Sequence, residues 1–191
     1  MNEGVEWAVH SCLNLAWLGE RTVPAARLAA FYELPAAYLN KQLQALSRAG
    51  ILASVSGPRG GFLLARPPEK ITLMDVVAAI AGEIATTGDY VSAYEVLAPV
   101  MNDAEYREDP EFQTFLFSLA TAAGQRVSTE QDEAAARPYF ETALEAYERA
   151  FTGPDAEPDV AQVRQAIAVN IGLGRTDEAL DGIGCAVQQL V

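Results

Sequence analysis

Histidine and cysteine are almost missing from these 191 residues: one His, at position 10, and two Cys, at 12 and 185. Two cysteines cannot build a disulfide framework or a Cys-based metal site. His10 and Cys12 stand two apart on an expected helix and so point to different faces, which leaves no ligand pair. No apolar run approaches the ~20 residues that cross a bilayer core; Ile51 to Val55 is short, and Met74 to Ala81 is broken by Asp75. Met1 to Val5 carries Glu3 and no basic residue, so the charged start of a secretory signal is missing. A reducing cytoplasm is the expected setting, with no membrane partner. Catalytic constellations are equally scarce. There is no Ser–His–acid set and no Gly-rich phosphate loop followed by Lys-Ser or Lys-Thr. Glu130, Asp132 and Glu133 fall in a charge run, the mark of a solvated face. No enzyme, metal site or cofactor is expected.

Lysine is also scarce, with Lys41 and Lys70 alone, and the formal net charge is −13. That charge is uneven. Residues 1–84 carry seven Lys/Arg and seven Asp/Glu; residues 85–191 carry six and nineteen. The second stretch holds the whole acidic excess and repels phosphate, so any nucleic-acid contact must come from the first. Half the chain is hydrophobic, enough for packed cores rather than disorder. We read two domains, 1–84 and 85–191.

In the first, Glu3 to Leu18 reads as a helix with Trp7, Val9, Leu13, Leu15 and Leu18 at its apolar positions and Gly19 as a stop. Pro24 opens a short Ala-rich helix to Phe31. After Glu33-Leu34-Pro35 a third helix runs to about Ala49, with Leu39, Leu43 and Leu46 as its buried stripe and Gly50 as its end. Two short helices, the second with a polar outer face, form a helix-turn-helix pattern. Ile51 to Val55 and Phe62 to Ala65 flank the turn Gly57-Pro58-Arg59-Gly60-Gly61, a hairpin with Arg59 at its tip. Thr72 and Asp75 make a capping box for a helix expected over Leu73 to Ala81, with Gly82 as its stop.

The run Leu39-Asn40-Lys41-Gln42-Leu43, Ala49-Gly50-Ile51-Leu52, Ser56-Gly57-Pro58-Arg59-Gly60-Gly61-Phe62, Leu64-Ala65-Arg66-Pro67 and Ile71-Thr72-Leu73-Met74-Asp75-Val76-Val77 closely resembles the winged-helix repressors of the iron–sulfur cluster regulator (IscR-like) type. The resemblance covers about residues 1–84. It implies a homodimer on an imperfect promoter palindrome, with the third helix in the major groove and the wing in the minor groove. On matching positions it implies Tyr38, Asn40, Lys41 and Gln42 for the recognition helix, and Arg59 and Gly60 for the wing. Residue chemistry adds that Asn40 and Gln44 can read adenine edges, while Lys41 and Arg48 suit phosphates. Many members carry three cysteines just after this domain that hold an iron–sulfur cluster. This chain has none there, and Cys12 reads as a small buried hydrophobe. The family's long dimerisation helix is also replaced, so its dimer does not carry over directly.

From Gly88-Asp89-Tyr90 onward a new pattern begins. Ala93, Leu97 and Val100 recur as Ala136, Phe140 and Ala143 and again as Ala179, Ile183 and Ala186, at an interval of 43 residues. Further helices are expected over Glu111 to Ala123 and Val160 to Leu173, with loops at Arg126 to Gln131 and Gly153 to Asp159. Small residues among large ones at this spacing let stacked helices nest, and this part resembles degenerate tetratricopeptide repeats. The fold class expected is mainly α: a winged helix-turn-helix with a small β-hairpin wing, then helical hairpins of tetratricopeptide-like type.

Two functions compete. In the first, the chain is a sequence-specific DNA-binding transcriptional regulator, most simply a repressor, whose helical repeats dimerise it or bind a protein or peptide. In the second it is an antitoxin-like or adaptor protein whose winged helix no longer binds DNA. The zero net charge of residues 1–84 supports the second, since DNA-binding domains usually carry a basic excess.

Overall fold

The computed structural model describes residues 3–58, 60–101, 103–151 and 158–179. It is mainly helical with one two-stranded antiparallel sheet, as the sequence predicts. The chain divides into two compact units at Thr87–Gly88.

The first unit runs α1 (Glu3–Leu18), α2 (Ala25–Phe31), α3 (Ala36–Arg48), β1 (Leu52–Val55), β2 (Gly61–Leu64), a short 3-10 turn (Pro68–Lys70) and α4 (Leu73–Ala85). Its core is made where α1, α3 and α4 meet, from Val5, Leu15, Leu39, Leu43, Leu46, Val76, Val77 and Ile80, and the sheet adds Leu52 and Phe62. The leucine stripe of α3 is buried as its spacing demands. The α1 reading needs correction. Its buried face is Val5, Ala8, Ser11, Cys12 and Leu15, while Leu13 and Leu18 are exposed. Small residues, not the largest apolar ones, let α1 lie close to its neighbours.

The α4 end also differs. The Thr72–Asp75 capping box forms with both reciprocal bonds, 3.1 and 2.9 Å. The helix then passes through Gly82 to Ala85. Nothing crowds Gly82, and a single interior glycine costs only ~1 kcal/mol, which the buried Ile80 and Ala81 outweigh. Thr86 and Thr87 bond the carbonyls of Glu83 and Ile84, and Gly88 turns the chain at φ 82°. The 84/85 boundary read from the sequence therefore lies inside the last turn of α4.

The second unit contains α5 (Tyr90–Leu97), α6 (Ala104–Arg107), α7 (Pro110–Glu130), α8 (Glu133–Phe151) and α9 (Val160–Gly172). Asp89, Asp109, Asp132 and Asp159 each accept a backbone N–H at a helix start. Only Gln131 and Asp132 separate α7 from α8, so the two form an antiparallel hairpin. The loop expected at Arg126 to Gln131 is helix to Glu130. Val127 is buried, and Arg126 pairs with Glu130 one turn on. α7 also packs on α5, and α8 on α9. Ala93, Ala136 and Ala179 are all buried. The aromatic ring of Phe140 lies between Gly124 of α7 and Gly172 of α9, where an added Cβ at either would come within 2.6 Å of it. Most of the 153–159 loop, together with Ile183, Cys185 and Ala186, lies outside the described residues.

Candidate nucleic-acid interface

Helix α3 is built to be buried on one side only. With Leu39, Leu43 and Leu46 inward, the opposite face carries Ala37, Asn40, Lys41, Gln44 and Arg48, spaced by threes and fours. Asn40 and Lys41 are exposed and Gln44 is half-buried. The helix contains no carboxylate; the acids of this unit lie on α1, α4 and the connections. Pro35 precedes its first turn without a side-chain cap, and Ala36 and Ala37 are exposed. That leaves N–H groups free to meet an anion.

The other α3 positions sit differently. Tyr38 and Gln42 are half-buried on the flank of the stripe. Burial pushes the Tyr38 phenol up, and the Glu3 carboxylate adds to it, so its side chain lies toward the start of α1. Arg48 forms an ion pair with Glu83 of α4. The sequence reading missed that pair, since nothing local marks residues 35 positions apart.

The turn before α3 holds a strained residue. Glu33 has φ 57°, in the left-handed region. The Glu33 N–H reaches the Ala30 carbonyl and the Leu34 N–H reaches the Ala29 carbonyl. This double closure of α2 is a Schellman motif with glutamate in the usual glycine place.

The hairpin pairs Leu52 with Leu64 through Val55 with Gly61. It is tied to the body by two bonds of 2.9 Å between Val23 and Phe62. Gly60 and Gly61 are required here. A Cβ on Gly60 would stand 2.2 Å from the Val55 carbonyl oxygen, and one on Gly61 would stand 2.3 Å from the Val23 carbonyl carbon. Gly60 thus has a geometric reason to be glycine at the tip. Arg59 lies outside the described residues.

Among the described residues no three His, Cys, Asp or Glu side chains are grouped to hold a metal ion. Cys12 is buried, and that burial pushes its thiol up to about 12, the opposite of the thiolate a metal or cluster requires. His10 instead joins an aromatic group with Trp7 and Tyr32, at 5.9 and 6.4 Å between ring centres. This donor set does not fit an iron site. No described helix is long and apolar enough to cross a membrane.

A family model described as Rrf2, iron-dependent transcriptional regulator, matches residues 1–106. A candidate HTH-type transcriptional regulator of Aquifex aeolicus is 37% identical over 76 residues, which are 40% of this chain and 53% of that protein. BadM of Rhodopseudomonas palustris, likewise a candidate HTH-type regulator, is 39% identical over 70 residues, 37% of this chain and 45% of that one. The HTH-type transcriptional regulator IscR of Cereibacter sphaeroides is 34% identical over 62 residues, 32% and 40% of the two chains. The chain spans about half the length of the curated relatives it matches. Among solved structures, T. potens IscR aligns with a TM-score of 0.39 at 24% identity, covering 55% of this chain and 87% of that one.

Proposed function

The chain belongs to the Rrf2 family, and from that membership we propose that it is a sequence-specific DNA-binding transcriptional regulator acting as a repressor. The observation that carries this reading is the outer face of α3, where Asn40, Lys41 and Gln44 stand together with no carboxylate on the helix. Asn40 and Gln44 read adenine edges in the major groove, with Tyr38 and Gln42 at the margins. Lys41 neutralises a phosphate. The hairpin reaches the minor groove through Arg59 and the tight Gly60 tip. Arg48 joins by exchanging Glu83 for a phosphate. The pair is 58% and 18% exposed, and a surface pair of that kind is worth only ~0–1 kcal/mol, so the exchange costs little.

The regulator works as a homodimer, which a palindromic operator requires. The second unit supplies a degenerate tetratricopeptide-like scaffold that dimerises the protein or holds a protein partner. The buried Ala93, Ala136 and Ala179 and the Phe140 ring between two glycines support close helix stacking. Selection of bound sequences from a random duplex pool at low salt tests the whole reading. An enriched palindrome is expected. A single half-site would remove the dimer, and no enrichment by folded protein would remove DNA binding.

One observation favours a second reading, a protein-interaction module without DNA binding: the unit is neutral overall, and Glu83 already occupies one of its few cations. Only the first reading gives DNA affinity that falls steeply with salt.

A further inference from the structure

The second unit holds a cavity of about 270 Å³ that the DNA-binding account does not use, and we propose that it is a binding site for a small α-amino or α-hydroxy acid with a short apolar body. The proposal goes beyond the DNA-binding reading and does not depend on it. One of the cavity's lining residues is Gln113 of α7, only 1% exposed. The Gln113 Nε2 donates to the carbonyls of Tyr106 and Arg107, at 3.2 and 3.0 Å. Two carbonyl acceptors fix which end of the amide is nitrogen. The Oε1 end is then a buried acceptor with no partner among the described residues. Natural folds rarely leave such a group unmet, and what it lacks is an N–H or O–H donor.

The rest of the lining says what else the ligand carries. Arg107, Arg149 and the carboxylate of Glu145 border the cavity. Arg149 is paired with Glu145 one turn earlier. No described acid pairs with Arg107, so one cation is open to a carboxylate, the anion that guanidinium meets best. Met101 and Leu116 supply apolar wall. A donor for Gln113, a carboxylate for Arg107 and a short apolar body for Met101 and Leu116 describe one small molecule. The volume falls just under the usual range for drug-sized ligands, which suits a molecule of this size.

Calorimetric titration of the full-length protein tests this with five probes: L-leucine, L-methionine, 2-hydroxy-4-methylpentanoate, 4-methylpentanoate and 3-methylbutylamine. The fourth lacks the donor and the fifth lacks the carboxylate. At least one of the first three should bind, with the last two weaker by about tenfold or more. Gln113→Met should erase the preference for a donor-bearing acid. Should that variant fail to fold, Arg107→Ala decides: its side chain is exposed, and the substitution should weaken binding about tenfold or more without moving the melting temperature. No binding by any of the first three at millimolar concentration, equal binding of all five, or binding untouched by Arg107→Ala would each overturn the site. DNA affinity plays no part in this readout, so loss of the regulatory reading leaves the result intact.

Discussion

Cys12 shows how far a single residue's surroundings decide its chemistry. Burial holds its thiol protonated, with the folded value raised to about 12 from an ordinary 9.0. In a Cys185→Ser background, thiol reagent at pH 8 should label Cys12 only at the rate the protein opens; fast labelling of folded protein contradicts this. Above the unfolded value the unfolded chain has lost a proton that the folded chain keeps, so Cys12 stabilises fully below about pH 9. That contribution falls as pH climbs toward about 12. Glu33 offers a second residue-scale test. Its left-handed backbone suits glycine, so Glu33→Gly should stabilise by about 0.5–1 kcal/mol in denaturant unfolding. Glu83→Gln should release Arg48 and tighten DNA binding several-fold, read by fluorescence anisotropy. An unchanged affinity there would remove Arg48 from the interface.

Among the elements, the wing and the α7–α8–α9 stack have the least room to change. Gly61→Ala would drive a Cβ into the Val23 backbone. Because backbone yields less than side chain, it should cost about 2 kcal/mol or more and detach the hairpin. Gly124→Ala meets the Phe140 ring first, a side chain rather than backbone, and should cost about 1–3 kcal/mol. Elements whose signals are local were legible in the sequence: the leucine stripe of α3, the Thr72–Asp75 cap and the glycines of the wing. Features set by partners far along the chain were not. The burial of Ala8 and Ser11 in place of Leu13 depends on what α1 packs against. The passage of α4 through Gly82 depends on Ile80 and Ala81 already being buried. The glycines facing Phe140 come from two other helices, and the Gln113 cavity is lined from α7, α8 and the α6 region, which no spacing rule joins.

At the scale of the whole molecule, charge is divided along the chain. A neutral first part precedes a second that carries −13. The second part opposes DNA at long range, so in the proposed complex the α3 contacts would act against that repulsion at short range, and salt acts on both terms. The candidate site was legible as a residue set, since Asn40, Lys41 and Gln44 share one face as their spacing requires. The engagement of Arg48 by Glu83 was not. We propose that this face meets the phosphates and base edges of duplex DNA. That contact is tested most directly by the salt dependence of affinity for a selected duplex, compared between the wild-type protein and Lys41→Ala. A steep linear fall of log affinity with log salt is expected in the wild type, and a slope smaller by about one in the variant. A flat salt response, or identical slopes for the two proteins, would contradict it.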